Sequence, residues 1–428
     1  MYDVIVVGAR CAGAPTAMLL AQRGHRVLLL DRATFPSDTL STHFIKPPGV
    51  AMLRRWGLLG QVIASGCPPV PRFRFDYGIA VLAGSPPPLD GGAESYAPRR
   101  MILDTILVEA AARAGAEVRP AFTVNELLTD GGRVSGIRGH SRGGATLTER
   151  ACLVVGADGR HSLVARAVAA PAYRAQPTLT CAYYTYWNGV PAGEEIEGYF
   201  LPRRVILTFP TNNGQVCVFA QWPRSEFRSV RADAEGQLWA AVTQVPRLAE
   251  RLRAGQRATR LAGTGDLPGF FRTAYGPGWA LAGDAGYHRD PLTAQGISDA
   301  FRDAQLLSEA IDDGLDGRQP LAGALAGYQR QRDEAAAAMY ELTCQRAALE
   351  PPTPQMTRLI TALHGNQHDT DQFIGVIAGT VPIPEFFAPG NIQRIIDTSR
   401  KPAAHGHQAA GSSISPSPPA KSAVPPPS

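Results

Sequence analysis

The sequence predicts an α/β fold: a parallel sheet assembled from separated stretches of chain, a mixed or antiparallel β-sheet inserted between them, and helices towards the C-terminus. Three observations carry this. The chain opens as strand, turn, helix, strand at Tyr2–Val7, 8–13, 14–23 and Val27–Leu30, with apolar runs flanking a glycine-rich turn. Between about 178 and 261 the pattern changes to short β-rich runs. From 298 onwards apolar residues recur at helical spacing.

The opening βαβ unit extends to about residue 75. A polar, Pro- and Gly-rich excursion at 84–92 precedes a helix at 103–114, which stops at Gly115. An apolar strand at 153–155 follows. The inserted sheet is read from 181–187, 204–209 and 215–221, with the turn residues Thr211-Asn212-Asn213-Gly214 between the last two. Alternation along the first of these runs sets Tyr183, Thr185 and Trp187 on one face and Tyr184 with Tyr186 on the other. Trp279–Leu281 reads as a strand, and helices are expected through 298–312 and 321–349. The implied division is one discontinuous domain from 1–75, 98–177 and 263–345, a β-sheet domain from 76–97 and 178–262, and a helical segment at 346–400. The tail at 401–428 is rich in Ala, Ser, Pro and Gly, cannot bury enough apolar surface to fold, and is expected to be disordered.

A chain of 428 residues exceeds what one compact core fills, in keeping with two units and room for a buried ligand. No stretch of about 18 apolar residues lacks a charge or breaker, so no membrane span is expected. The net charge of +5 is carried by arginine, the only lysines being Lys46, Lys401 and Lys421, and no basic run of the kind that tracks nucleic acid occurs. The six cysteines lack CxxC or Cys/His spacing, which argues against a disulfide frame or a metal site and for small buried residues in a reducing compartment. Met1-Tyr2-Asp3 runs straight into a strand without a basic leader, so a cytoplasmic location is expected.

Three motifs carry the chemistry. The first, Gly8-Ala9-Arg10-Cys11-Ala12-Gly13, stands between strand and helix, with Ala17 beyond it and Asp31-Arg32 at the end of the second strand. This is the placement of a Rossmann-like dinucleotide fingerprint: Gly8 allows the tight turn, Gly13 and Ala17 let helix and strand pack closely, and the helix N-terminus faces a pyrophosphate. Asp31 is the expected acceptor for ribose hydroxyls. Arg10 replaces the second glycine, and its guanidinium either offers paired donors to the phosphates or points into solvent. The second motif is Val155-Gly156-Ala157-Asp158-Gly159-Arg160-His161-Ser162. The third is Leu281-Ala282-Gly283-Asp284-Ala285-Gly286, followed by Pro291, Gln295-Gly296-Ile297 and Ser298, and then by Asp303-Ala304.

Together the motifs resemble the flavoprotein monooxygenases related to para-hydroxybenzoate hydroxylase, with the geranylgeranyl reductases as relatives, over roughly residues 1–345. The resemblance implies an FAD-binding domain and a substrate-binding sheet domain. It implies that Gly8, Ala9, Arg10, Cys11, Ala12, Gly13, Asp31 and Arg32 hold the ADP part of FAD, and that Asp158 lies near the pyrophosphate. By the same match Gly283 and Asp284 meet the ribityl chain. Backbone N–H groups around Gln295, Gly296 and Ile297 then face the isoalloxazine ring. Two positions depart from the family, Ala294 for a glycine and Ser298 for an asparagine. Arg100 matches a family arginine that either contacts FAD or is an ordinary solvated arginine at a helix start.

The resemblance further implies that NADH or NADPH reduces the flavin, which meets molecular oxygen and forms a C4a-hydroperoxide whose distal oxygen passes to a small organic, for example aromatic, substrate. Its alternative is a reductase of carbon–carbon double bonds like the geranylgeranyl reductases. No side chain is named as catalyst. The residues expected around the substrate are His43, Tyr183, Tyr184, Tyr186, Trp187, Phe209, Tyr287, His288 and Arg289, with His43 either at the flavin edge or satisfied in the core. Phe209-Pro210 faintly resembles a Trp-x-Phe-Pro element of the reductases. Halogenation is not expected, since no WxWxIP string exists and Lys46 is the only lysine before Lys401.

Overall fold

The computed structural model describes residues 1–191 and 193–400; the tail expected to be disordered lies outside the described residues. The first sheet runs in the order Glu117–Arg119, Val27–Leu30, Tyr2–Val7, Thr146–Gly156 and Trp279–Leu281, all parallel, with Tyr275–Gly276 antiparallel at the edge. Its central strands are apolar on both faces because both faces are covered: Val4, Ile5, Val6, Leu28, Leu29 and Leu30 have no exposed surface. Helices Gly13–Gln22, Arg100–Arg113 and Gly296–Leu315 pack on one face. The hairpin Phe122–Asp130/Arg133–Ser141 and helix Leu163–Ala167 cover the other.

The inserted sheet is mixed. Its order is Gln256–Arg257, Thr180–Asn188, Val216–Pro223, Arg204–Pro210, Glu195–Leu201, Arg72–Asp76 and Val81–Gly84, and only the contact between Glu195–Leu201 and Arg72–Asp76 is parallel. The strand Arg72–Asp76 therefore joins this sheet, although residues 1–75 read as part of the opening unit. The tyrosine alternation places Tyr184 and Tyr186 with Phe209 on one face and Tyr183 with Trp187 on the other. That second face is covered by helices Phe227–Ala232, Ala234–Val242 and Pro246–Ala254, in a stretch read only as β-rich. The helix signal was present locally: Pro246 at the first turn and the buried spacing Leu248, Ala249, Leu252.

The insert leaves and rejoins the first domain through a stem in which Ala172–Gln176 pairs antiparallel with Gly269–Arg272, Gln176 opposite Gly269. The C-terminal helices Pro354–His364, Gln367–Ala378, Ile383–Phe386 and Pro389–Arg400 bury Leu359, Leu363, Phe373 and Phe386 against Leu82. No helix among the described residues is long and apolar enough to cross a membrane.

Candidate functional site

Three turns meet because three strands end at one level. Val7 stands opposite Gly156 and Gly156 opposite Leu281, so Gly8, Ala157 and Ala282 leave the sheet side by side. Ala157 N–H donates to the Val7 carbonyl at 2.8 Å and Ala282 N–H to that of Gly156 at 2.9 Å. Beyond this point the turns pack closer than side chains allow. Gly8 has φ +100°, and a Cβ there would lie 2.4 Å from the Ala157 carbonyl oxygen. A Cβ on Gly13 would lie 1.8 Å from the Gly8 oxygen, and one on Gly283 2.7 Å from the Ala12 Cβ. The structure thus brings all three motifs together at the carboxyl ends of parallel strands, the place where open α/β sheets bind ligands.

The first turn is held by Asp31, whose carboxylate accepts from Ala9 N–H at 2.7 Å and Ala33 N–H at 2.8 Å. Helix Gly13–Gln22 starts with no side-chain cap and no acid in its first turn, leaving its amides and dipole to an anion. Cys11 and Ala12 are buried, while Arg32 is exposed. Arg10 is held by protein partners rather than pointing freely into solvent. Its Nη1 donates to Asp104 at 2.5 Å and its Nη2 to Ser37 Oγ at 3.1 Å, with the guanidinium 5.5 Å from the Phe35 ring centre. Asp104 is fully buried and also accepts from Arg100 Nε and Nη2, both at 3.1 Å. One carboxylate therefore fixes two arginines. Arg100 is buried rather than solvated; burial works against its charge, and Asp104, by charge and hydrogen bond, together with Asp284 offsets that.

In the second turn Asp158 Oδ2 accepts from Leu163 N–H at 2.6 Å at the start of helix Leu163–Ala167. Its Oδ1 is buried without a partner, and burial pushes the carboxyl pKa above its ordinary value. Asp284, in the short helical turn Gly283–Ala285, is exposed. The turn Pro291–Thr293 follows, and Ala294 then adopts φ 46°, ψ 49°, the left-handed conformation that a glycine takes without strain. Helix Gly296–Leu315 starts uncapped; Gly296 is exposed, Ile297 and Ser298 are buried, and Ser298 Oγ has no partner. Gln295 is drawn aside, its Nε2 donating to the Ile377 carbonyl at 3.1 Å.

Against this loop lies a small recess of about 40 Å³, walled by Phe73, Phe75, Phe200 and Leu207 of the mixed sheet, by 292–294, and by Lys46 and Arg346. None of the nine residues expected around the substrate lines it. His43 is satisfied in the core: Nδ1 meets the Ala97 carbonyl at 3.1 Å and Nε2 the Tyr186 hydroxyl at 3.0 Å. Burial pushes its pKa down to about 3, so it is neutral. Tyr183 and Trp187 face the covering helices, and Tyr287 packs on Phe271 and Tyr340. His288 Nδ1 meets the Pro268 carbonyl, and Arg289 Nη2 donates to Asp299, each at 2.5 Å.

What the sequence reading missed is the wall itself. Phe73 and Phe75 alternate within Arg72–Asp76, a signal that was available, but nothing near Lys46 or Arg346 announces that they share a recess. Lys46 Nζ donates to the carbonyls of Thr293, at 2.6 Å, and Ile377, and burial together with nearby Arg289 lowers its pKa to about 7.

A family model described as an FAD binding domain matches residues 1–343. The chain is 26% identical over 345 residues to digeranylgeranylglycerophospholipid reductase 2 of Methanopyrus kandleri, covering 78% of this chain and 82% of that one. It is 27% identical over 351 residues to 6-methylpretetramide 4-monooxygenase of Streptomyces rimosus, covering 78% and 81%. In fold it is similar to the myxobacterial chondrochloren halogenase, with a TM-score of 0.75, 22% identity and coverage of 93% and 96%.

Proposed function

The chain belongs to the FAD binding domain family and is an FAD-dependent oxidoreductase, and from that premise we propose that it is a monooxygenase, driven by NADH or NADPH, that hydroxylates a medium-sized organic molecule with molecular oxygen. In this reading the turn from Gly8 to Gly13 and the uncapped helix behind it take the pyrophosphate, and Asp31 takes the ribose. Arg100 and the unpartnered Asp158 Oδ1 border the phosphates, and Asp284, exposed in the crevice, meets the ribityl chain. The amides at Gly296 and Ile297 then face the flavin ring, where they stabilise negative charge. FAD, when bound, supplies the redox and oxygen chemistry; the side chains bind, orient and exclude water.

The observation that carries the reading is the recess ending at 292–294, directly before the helix start assigned to the ring. Its aromatic walls exclude water from that ring. A second reading, reduction of carbon–carbon double bonds, is favoured by the similarity to the Methanopyrus kandleri reductase. The deciding experiment reduces the purified yellow protein anaerobically with NADH or NADPH, with and without aromatic acids, and then admits air. Oxygen uptake matched by a product heavier by one oxygen is expected; a product that has gained two hydrogens and no oxygen overturns the monooxygenase.

A further inference from the structure

Thr180, Ala182, Tyr184 and Tyr186 alternate onto one face of strand Thr180–Asn188, and Gln221, opposite Ala182 on Val216–Pro223, shares that face. The face is otherwise largely aromatic and apolar, yet Thr180 and Gln221 are polar with no exposed surface. Both turn to Asp290, in the loop that leads from the Asp284 turn to helix Gly296–Leu315. Thr180 Oγ1 donates to Asp290 Oδ2 at 2.5 Å, and Gln221 Nε2 donates to Asp290 Oδ1 at 2.6 Å and to Thr180 Oγ1 at 2.5 Å. Asp290 Oδ1 also accepts from Leu292 N–H at 3.0 Å, which caps the turn Pro291–Thr293. Capping needs only that last bond; the other two cross to strands 69 and 110 positions away in the chain. A buried carboxylate is costly unless its oxygens are hydrogen-bonded, and burial pushes the Asp290 pKa above its ordinary value against the pull of these three donors. At the end of the same turn, Thr293 is fastened to the first domain: its hydroxyl meets that of Thr343 at 2.8 Å, and its carbonyl accepts from Lys46 Nζ at 2.6 Å. Left-handed Ala294 and the helix start come directly after.

We propose that Asp290, tethered by Thr180 and Gln221, is a positioning residue: it ties the mixed sheet to the loop and so sets where the amides of Gly296 and Ile297 stand. This rests on the reading that those amides face the flavin ring, and it adds a route by which the substrate-side sheet acts on the cofactor. The left-handed conformation is unfavourable for an alanine, so the contacts around Ala294 must impose it. Loss of either sheet donor leaves the carboxylate under-satisfied and the turn held from the first domain alone, and Ala294 is the point that yields.

The test compares the yellow holoprotein with Thr180→Val and Gln221→Leu, each of which removes a donor without changing any formal charge, and with Thr185→Val. Thr185 is equally buried on the same strand, but its hydroxyl donates to the Thr259 carbonyl, at 2.8 Å. Amide hydrogen exchange over 290–298 is followed by mass spectrometry, and the flavin's midpoint potential by anaerobic titration. Thr180→Val and Gln221→Leu should speed exchange in the loop about ten- to a hundredfold, the range for hydrogen bonds to a charged group. They should also lower the potential by up to about 30 mV, equivalent to a tenfold loss of preference for reduced over oxidised flavin. Thr185→Val should do neither. Unchanged loop exchange in both variants, or the same changes in Thr185→Val, overturns the proposal. Faster exchange at an unshifted potential upholds the tether and counts against the ring-facing amides; a shifted potential with unchanged exchange overturns the tether and leaves those amides standing.

Discussion

Substitution of Gly8 by alanine isolates what the convergence of the turns requires. The residue sits at φ +100°, where an alanine costs about 1–2 kcal/mol. Its Cβ would also lie 2.4 Å from the Ala157 oxygen, 2.6 Å from the Ala157 carbonyl carbon and 2.9 Å from the Asp158 nitrogen. All three are main-chain atoms, so relief moves the second turn away from the first, at a typical overpacking cost of about 1–3 kcal/mol. The sum is about 2–5 kcal/mol, a large part of an ordinary folding stability of about 5–15 kcal/mol. Gly24 supplies the control: its φ is +91°, yet a Cβ there meets nothing within 4 Å, so Gly24→Ala carries the backbone penalty alone. The assay is thermal and urea unfolding of both variants, with retained flavin measured from the visible absorbance per protein. Gly8→Ala should be less stable than Gly24→Ala by about 1–3 kcal/mol and should lose flavin, which Gly24→Ala keeps. Equal stability and equal flavin content in the two would refute the idea that Gly8 is required by the approach of Ala157.

Lys46 gives a pH prediction. Its folded pKa, about 7, lies below its ordinary 10.5, so between those values the unfolded chain binds more protons and stability rises with pH. The charges facing it, Arg289 and Arg346 against Asp299, act in the wild type throughout. Urea unfolding at pH 7 and pH 9.5 should show a gain that Lys46→Met loses; the same gain in both proteins sinks the assignment. Ala294→Gly should relieve a left-handed alanine at about 1–2 kcal/mol against an entropic cost of about 0.5–1 kcal/mol, for a net stabilisation of up to about 1.5 kcal/mol in urea; clear destabilisation would contradict the strain. Asp284→Ala, at an exposed position, should change the unfolding of flavin-free protein by no more than about 0.5 kcal/mol yet weaken flavin retention. Unchanged retention would remove Asp284 from the site.

The parts legible in the sequence are those whose signal is local. Apolar strands ending in glycine turns fixed the first sheet, and residue alternation alone sorted Tyr183 and Trp187 from Tyr184 and Tyr186. The Arg10 partnership was not legible, because its carboxylate, Asp104, lies 94 positions away and a lone arginine in a turn gives no hint of it. The recess was hidden for the same reason: Arg72–Asp76 meets Glu195–Leu201 across a large separation in the chain, and Arg346 arrives from a helix read only as helix. His43 settles on the second of its two expected alternatives, satisfied in the core by burial and two hydrogen bonds that no local signal predicts.

The stem between Ala172–Gln176 and Gly269–Arg272 brackets most of the mixed sheet, all but its strands Arg72–Asp76 and Val81–Gly84. Because Gln176 and Gly269 are neighbours, the span they bracket can be rebuilt, lengthened or traded between relatives without altering the spacing of the Asp158 and Asp284 turns that precede and follow it. Changes in that span reach the recess through Ile196, Phe200 and Leu207, while Phe73, Phe75, Lys46, Arg346 and the Gly8, Asp158 and Asp284 turns stay put.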